Sequence, residues 1–266
     1  MIDLNQLTNL ASTTLERFRL DKKVALVVGG SRGLGQAMAL ALSSAGADVC
    51  VVARSTQDLQ KTVEAISKIG KVGKSIVSDV TREEEVEKMV DQAVKIFGHI
   101  DILVNSQGAV HLQPSIDFDA AAWQKVMDVN LKSVFLSCKH VGRVMLNQEK
   151  GKIINISSVR GFQGRAEDMA YAPSKGGVNQ LTRSLAIEWG SKGINVNAIA
   201  PVFTLTPMSA SILHDPVKKE WVLSRIPMRR LSQLDDLFGP VVFLASEASN
   251  FVNGHILAVD GGWLAA

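Results

Sequence analysis

The sequence predicts an α/β fold, a doubly wound parallel sheet with helices on both faces, and three observations carry that expectation. Apolar runs of strand length alternate with longer segments of helical period along the chain. Several of these runs are continuous Val, Ile and Leu without polar alternation, the pattern of strands buried on both faces. Repeated strand–helix–strand order requires right-handed crossovers, which place the helices on the two sides of a mostly parallel sheet. No Pro- or Gly-rich linker and no composition break divides the 266 residues, so one domain accounts for them.

Taken in order, Leu4, Leu7, Ala11, Leu15 and Phe18 form a helical stripe ahead of the first strand. Residues 1–19 are therefore read as an arm, packed on the body or on a neighbouring subunit, and residues 20–266 as the main domain. Strands are expected at 24–28, 49–53, 76–77, 100–104, 153–156, 194–199 and 256–259. Between them, Leu34, Ala37, Met38, Ala41, Leu42 and Ala45 fall at helical spacing. So do Val86, Met89, Val90, Ala93, Val94 and Phe97, on a second helix.

Composition excludes several functions. A net charge of +3 with interspersed signs and 5% aromatic residues offers neither a basic block nor stacking platforms, so no nucleic-acid partner is expected. Cys50 lies in an apolar run and Cys138 in a helical one. With no CxxC and no Cys/His cluster they read as reduced core thiols, with no metal site, consistent with a cytoplasmic protein. No apolar stretch reaches signal or spanning length, and no membrane association is expected.

Two motifs carry chemistry. The first strand runs into Gly29-Gly30-Ser31-Arg32-Gly33-Leu34-Gly35 and straight on to a helix, a turn in which glycines admit positive φ and let backbone approach a pyrophosphate at the helix N-terminus. The second is Tyr171, the only tyrosine, with Lys175 four residues later on one helical face. An ammonium there favours the phenolate, so a hydroxyl that ordinarily titrates near pH ~10 is expected to work as an acid or base closer to neutrality. Because 29 of 266 residues are Lys or Arg, that pair alone arises by chance about once in nine tyrosines and needs the rest of the chain.

Together, Gly29-x-x-x-Gly33-x-Gly35 and Tyr171-x-x-x-Lys175 resemble the short-chain dehydrogenase/reductase family, over about residues 20–262. Further matches are Asp79-Val80 after the third strand, Asn105-x-x-Gly108 after the fourth, Asn130 in the following helix and Ser157-Ser158 after the fifth. The resemblance implies a Rossmann-type, NAD(P)-dependent oxidoreductase that interconverts a ketone and a secondary alcohol, usually as a homotetramer. Ala186-Ile187-Glu188-Trp189 and Val259-Asp260-Gly261-Gly262-Trp263 are similar to members that handle gluconate and its deoxy and keto relatives.

By that resemblance Tyr171 is the acid–base, Lys175 also holds the nicotinamide ribose, and Ser158 rather than Ser157 hydrogen-bonds the substrate oxygen. Asn130 would hold a water that links Lys175 to solvent; read from its apolar neighbours alone it is a satisfied core amide. Asp79 would bond the adenine amino group and Thr206 the carboxamide, with Val80, Asn105, Gly108 and Pro201 also at the cofactor. The cofactor is read from residues: the second strand ends in Ala53-Arg54 with no carboxylate for a ribose 2′-hydroxyl, and Arg32 projects from the glycine turn. Two guanidiniums suit the 2′-phosphate of NADP, and NAD is the less favoured cofactor.

The chain departs from the family pattern at Val28, where threonine is usual, at Ser106-Gln107 in place of Asn-Ala, and at Val202, where glycine normally follows Pro201. Gln107 and Val202 should border the nicotinamide site and reshape it. Pro173 places the helix start close to Tyr171. Expected pocket walls are Val110 and His111, residues 159–165, residues 201–224 and Trp263. Arg160, Arg165 and His111 would suit a substrate carboxylate, or serve as ordinary loop residues. Residues 202–216 read as a loop able to close over substrate. Alternatives are a non-catalytic nucleotide-binding relative, an NAD-dependent polyol or sugar-acid dehydrogenase, and a lyase or epimerase on a related scaffold.

Overall fold

The structure, a computed structural model, describes residues 3–266. Its strands are β1 (Val24–Val28), β2 (Asp48–Ala53), β3 (Gly73–Val77), β4 (Ile102–Asn105), β5 (Gly151–Ile156), β6 (Ile194–Pro201) and β7 (Ile256–Val259). The helices are α1 (Leu4–Ser12), α2 (Gly33–Ser44), α3 (Thr56–Lys68), α4 (Glu83–Phe97), α5 (Ala120–Met127), α6 (Ser133–Gln148), α7 (Tyr171–Trp189), α8 (Ala210–Leu213), α9 (Pro216–Arg225) and α10 (Phe238–Ala245). The strands form one seven-stranded sheet in the order β3-β2-β1-β4-β5-β6-β7, every neighbouring pair parallel.

Side chains of successive strand residues leave on opposite faces, and here both faces are apolar. Leu26, Val28, Cys50 and Leu103 pack with Val86 and Met89 of α4, Val134 and Val141 of α6 and Val178 of α7. Ala25, Val27, Val51 and Val104 pack with Met38 and Leu42 of α2, Leu59 of α3 and Val241 and Leu244 of α10. All five residues of β1 are buried, which is why it reads as an unbroken apolar run.

Strand positions match the expectation at β1 and β7 and differ elsewhere for local reasons. The edge strand β3 begins at Gly73 rather than residue 76, because its exposed Lys74 and Ser75 carry no apolar signal yet pair with Cys50 and Val51. β4 starts at Ile102 rather than residue 100: Ile100 is buried ahead of it, and Asp101 turns its carboxylate to the amide of Val24 at 2.9 Å. β6 extends to Pro201, paired with Val259. The residues around Asn130 are not regular α-helix. Asp128–Lys132 form a π turn between α5 and α6, a widening that recurs at functional positions.

The N-terminal stripe has little to lean on within the chain. α1 is closed by a capping box between Asp3 and Gln6 but buries none of its residues. Packing starts only at Phe18, whose ring lies 6.3 Å from Phe243, and at Arg17, which donates to the carbonyl of Glu247.

β1 lies between β2 and β4, so the chain leaves these two central strands toward opposite sides of the sheet. Their carboxyl ends open a crevice, and both the glycine turn after β1 and residues 106–110 after β4 emerge there.

Candidate active site

The glycine turn is built for close approach. Gly29 has φ +78°, and a Cβ on it would lie 2.7 Å from the amide nitrogen of Gln107, so only glycine lets the two loops meet. A Cβ on Gly35 would run into the carbonyl oxygen of Gly29, which fixes how tightly α2 sits on the turn. Arg32 caps α2 without any side-chain hydrogen bond, leaving the first-turn amides free to meet a ligand.

Those amides face a groove of about 640 Å³. Gly29, Ser31, Arg32, Gly33, Leu34 and Gly35 form one wall, with Arg54, Asp79, Val80 and Gly108 along it and Thr206 opposite. Arg32 and Arg54 are exposed, and neither pairs with a carboxylate among the described residues. Asp79 accepts from the amide and hydroxyl of Thr81 at 3.1 and 2.8 Å. Partial burial pushes its carboxyl upward, but the Thr81 bonds and the nearby Arg54 and Arg82 guanidiniums outweigh this and hold it below the ordinary value.

Asn105 is a correction to the expected cofactor set. Its side chain enters the core, donating to Asn155 Oδ1 at 2.9 Å and to Cys138 Sγ at 3.4 Å, and it does not line the groove. The asparagine ends β4 on the face turned to α6, so it ties β4 to β5 while its loop neighbours reach the ligand.

A second cavity, about 150 Å³, adjoins the groove and shares Leu34, Ser106, Gln107, Gly108, Thr206 and Met208 with it. Ser158, Tyr171 and Lys175 line this cleft. α7 begins at Tyr171, and the preceding Asp168 accepts from the Ala172 amide at 3.0 Å. One turn on, Lys175 places its ammonium 5.7 Å from the Tyr171 ring centroid and donates to the carbonyl of Ile156 at 2.7 Å. Ser157 and Ser158 diverge as expected: Ser157 is tied to Asn179, whereas Ser158 accepts from the Arg160 amide and hydrogen-bonds Tyr171.

The electrostatics correct the expectation for the tyrosine. Burial raises the Tyr171 phenol above its ordinary value, more than the hydrogen bond from Ser158 lowers it. Lys175 does not offset this, since burial brings its own pKa down to about 8 and its protons point at a backbone carbonyl. The phenol is thus held protonated, and the lysine keeps its proton at neutral pH but less firmly than an exposed ammonium would.

Asn130 is fully buried, and its amide is engaged by protein. Oδ1 accepts from the Ala109 amide at 2.7 Å, and Nδ2 donates to the Ala109 carbonyl at 2.9 Å and to Ser174 Oγ at 3.0 Å. Both of its N–H donors are used in locking the loop after β4 onto α7, which agrees with the satisfied-amide alternative and leaves no side-chain donor for a water.

Around the cleft, Val110, Val159, Arg160, Arg165, Pro201 and Val202 are walls, as expected. His111 is not: it is exposed, bonded to Gln113 at 3.1 Å and edge-on to Phe118 at 5.3 Å, so it drops out of the carboxylate-binding set. Trp263 is buried one layer behind the wall, with Arg160 over its ring at 5.4 Å. Gln107 borders both cavities, donating to Ser133 at 2.9 Å while its Oε1 has no hydrogen-bond partner among the described residues. Residues 202–216 hold the short α8, and Phe203, Thr204, Thr206, Met208 and Ser209 of this stretch roof the cleft. Sequence reading missed Asp168, although an acidic residue just ahead of a helix start is a capping signal; Phe203 and Met208 fall within the expected wall of residues 201–224.

Comparison with known proteins agrees with this layout. A family profile described as enoyl-(acyl carrier protein) reductase matches residues 28–264. The chain is 44% identical over 251 residues to the 2-dehydro-3-deoxy-D-gluconate 5-dehydrogenase of Bacillus subtilis, covering 94% of this chain and 97% of that protein. To the 5-keto-D-gluconate 5-reductase of Escherichia coli it is 36% identical, covering 94% and 98%. Among solved structures, a gluconate 5-dehydrogenase from Burkholderia cenocepacia in complex with NADP and tartrate superposes with a TM-score of 0.92 at 36% identity, covering 95% and 99%.

Proposed function

The chain belongs to the short-chain dehydrogenase/reductase family, and on that premise we propose that it is an NADP(H)-dependent oxidoreductase interconverting a ketone and a secondary alcohol, with a sugar acid as substrate class. The observation that carries the reading is spatial. Ser158, Tyr171 and Lys175 line a cleft that opens into the groove along the glycine turn, so a reacting carbonyl and a dinucleotide would meet at one boundary.

The groove suits such a cofactor on its own geometry: uncapped amides at the start of α2 for a pyrophosphate, and two unpaired guanidiniums, Arg32 and Arg54, for a 2′-phosphate. No carboxylate closes β2, which disfavours the bare ribose of NAD. Bound there, a nicotinamide cofactor supplies or removes the hydride at the substrate carbon. Tyr171 gives its phenolic proton to the substrate oxygen in reduction and takes it back in oxidation, while Ser158 donates a hydrogen bond to that oxygen. Charge develops on Tyr171 only during this transfer. Lys175, with a pKa brought down to about 8, can then return a proton at working pH. Asn130 holds α7 and the loop after β4 at fixed distance, keeping the acid–base group beside the groove.

The relatives support the sugar-acid assignment by what they are named for, and the homotetramer and cytoplasmic location belong to the same reading. Exposed Ile187 and Phe251 supply apolar surface for subunit contacts. Purified protein should oxidise NADPH in the presence of 5-keto-D-gluconate or a related keto acid and bind NADPH more tightly than NADH. Absence of turnover with every ketone and keto acid tried, or tighter binding of NADH, would overturn the assignment.

A further inference from the structure

Arg160 is only 8% exposed, and two of its guanidinium nitrogens, Nε and Nη2, are closed to solvent with no hydrogen-bond partner among the described residues. Leaving a buried cation half unsatisfied is costly, so the arrangement calls for a partner from outside the chain. The rest of the group is firmly held. Nη1 donates to the carbonyl of Gly164 at 3.2 Å, the guanidinium lies 5.4 Å from the Trp263 ring centroid, and that ring is pinned by its own N–H to Gln163 Oε1 at 2.9 Å. Nε and Nη2 form one edge of the guanidinium, with two parallel N–H bonds at the spacing of the two oxygens of a carboxylate.

That residue lines the cleft together with Ser158 and Tyr171, two and eleven positions away in sequence. Its surroundings are cationic: Arg165 and Arg225 both act on it electrostatically, against one carboxylate, Asp168, which is engaged by the Ala172 amide. An anion is therefore the fitting ligand, and Arg225, which lies 5.3 Å from the same Trp263 ring and 6.0 Å from Trp221, reinforces the field.

We propose that Arg160 is the specificity-determining residue of this enzyme: its side chain shifts in the cleft wall as substrate enters, so that Nε and Nη2, closed to solvent in the free protein, bind the substrate's carboxylate bidentately while the carbonyl to be reduced sits at Ser158 and Tyr171. This rests on the oxidoreductase reading above. Because the carboxylate is remote from the reacting carbon, it contributes binding in the ground state and transition state alike, and its loss falls on KM rather than kcat.

The test compares 5-keto-D-gluconate with its neutral amide at saturating NADPH, for wild type, Arg160→Leu and Arg160→Lys. Arg160→Leu should raise KM for the acid roughly 30- to 100-fold, the worth of one or two charge-assisted hydrogen bonds, with kcat within about threefold and KM for the amide little changed. Arg160→Lys keeps the charge but not the fork and should fall between, which also covers a Leu variant that fails to fold. Equal losses for acid and amide, or no loss for the acid, would overturn the proposal. Calorimetric titration of D-gluconate without cofactor separates this from failure of the activity itself. If no ketone is turned over, weaker gluconate binding in Arg160→Leu still supports the anchor, whereas unchanged binding, or no binding to wild type, refutes it.

Discussion

Replacing Lys175 with Met should make the folded protein more stable at neutral pH while abolishing its function, and the size of the effect follows from where the ammonium sits. Lys175 is only 3% exposed, its charge compensated among the described residues by the Ile156 carbonyl alone, at 2.7 Å, and burial brings its pKa from 10.5 down to about 8. A folded-state pKa below the unfolded one means that the unfolded chain binds more protons between those two values. The stability cost is thus full below pH 8 and disappears as pH rises to about 10.5. A gap of 2.5 pH units, 10.5 minus 8, corresponds to roughly 3 kcal/mol. Against this, methionine leaves the Ile156 carbonyl without its donor, at a cost of ~1–2 kcal/mol. Urea denaturation at one fixed protomer concentration should therefore show Lys175→Met more stable than wild type by ~1–2 kcal/mol at pH 7. The difference should fall steadily between pH 8 and pH 10 and change sign near the upper end. Lys152, also brought down to about 8 by burial, contributes the same slope to both proteins and cancels. A difference that stays constant across this pH range would show that the buried ammonium is not under the strain the structure assigns to it.

Other perturbations read other parts of the site. Arg32→Ala and Arg54→Ala should each weaken NADPH binding about tenfold and the double variant about a hundredfold, while NADH affinity stays put; equal losses for both cofactors, read by fluorescence titration, would remove the 2′-phosphate clamp. Because both arginines are exposed, these effects should shrink at high salt. Ser158→Ala should lower kcat by ~10²–10³ with little change in KM, in steady-state kinetics at saturating NADPH. Cys50 and Cys138, both buried with pKa pushed up to about 12, should resist thiol reagents at pH 8 until the protein is unfolded; labelling of the native protein at the rate of a free thiol would contradict their placement.

How much of this was legible beforehand depends on whether a residue's neighbours are close in sequence. β1 and the spacing of Tyr171 and Lys175 are local patterns, and both hold in the structure. β3 was half hidden because an edge strand with Lys74 and Ser75 outward has no apolar run to display. Asn105 and Gly108 belong to one short motif, yet pleating sends the Asn105 side chain into the core while the loop beyond it lines the groove. The direction of the Tyr171 shift was likewise out of reach. A lysine four residues on predicts a lowered phenol, but burial of both groups and the Ile156 carbonyl, from another strand, reverse it. Arg160 was readable as a loop arginine near the cleft. What makes it distinctive, two unsatisfied nitrogens beside a ring from residue 263, exists only once the C-terminus folds back over residues 159–165.

In the proposed reaction Tyr171 transfers the proton while hydride moves in the adjoining groove. That transfer is tested most directly by Tyr171→Phe, which removes one oxygen and leaves the ring beside Lys175. NADPH oxidation with a keto acid turned over by wild type should fall by at least ~10²-fold in kcat, with NADPH affinity unchanged. If wild type and Tyr171→Phe turn over alike, the mechanism is wrong.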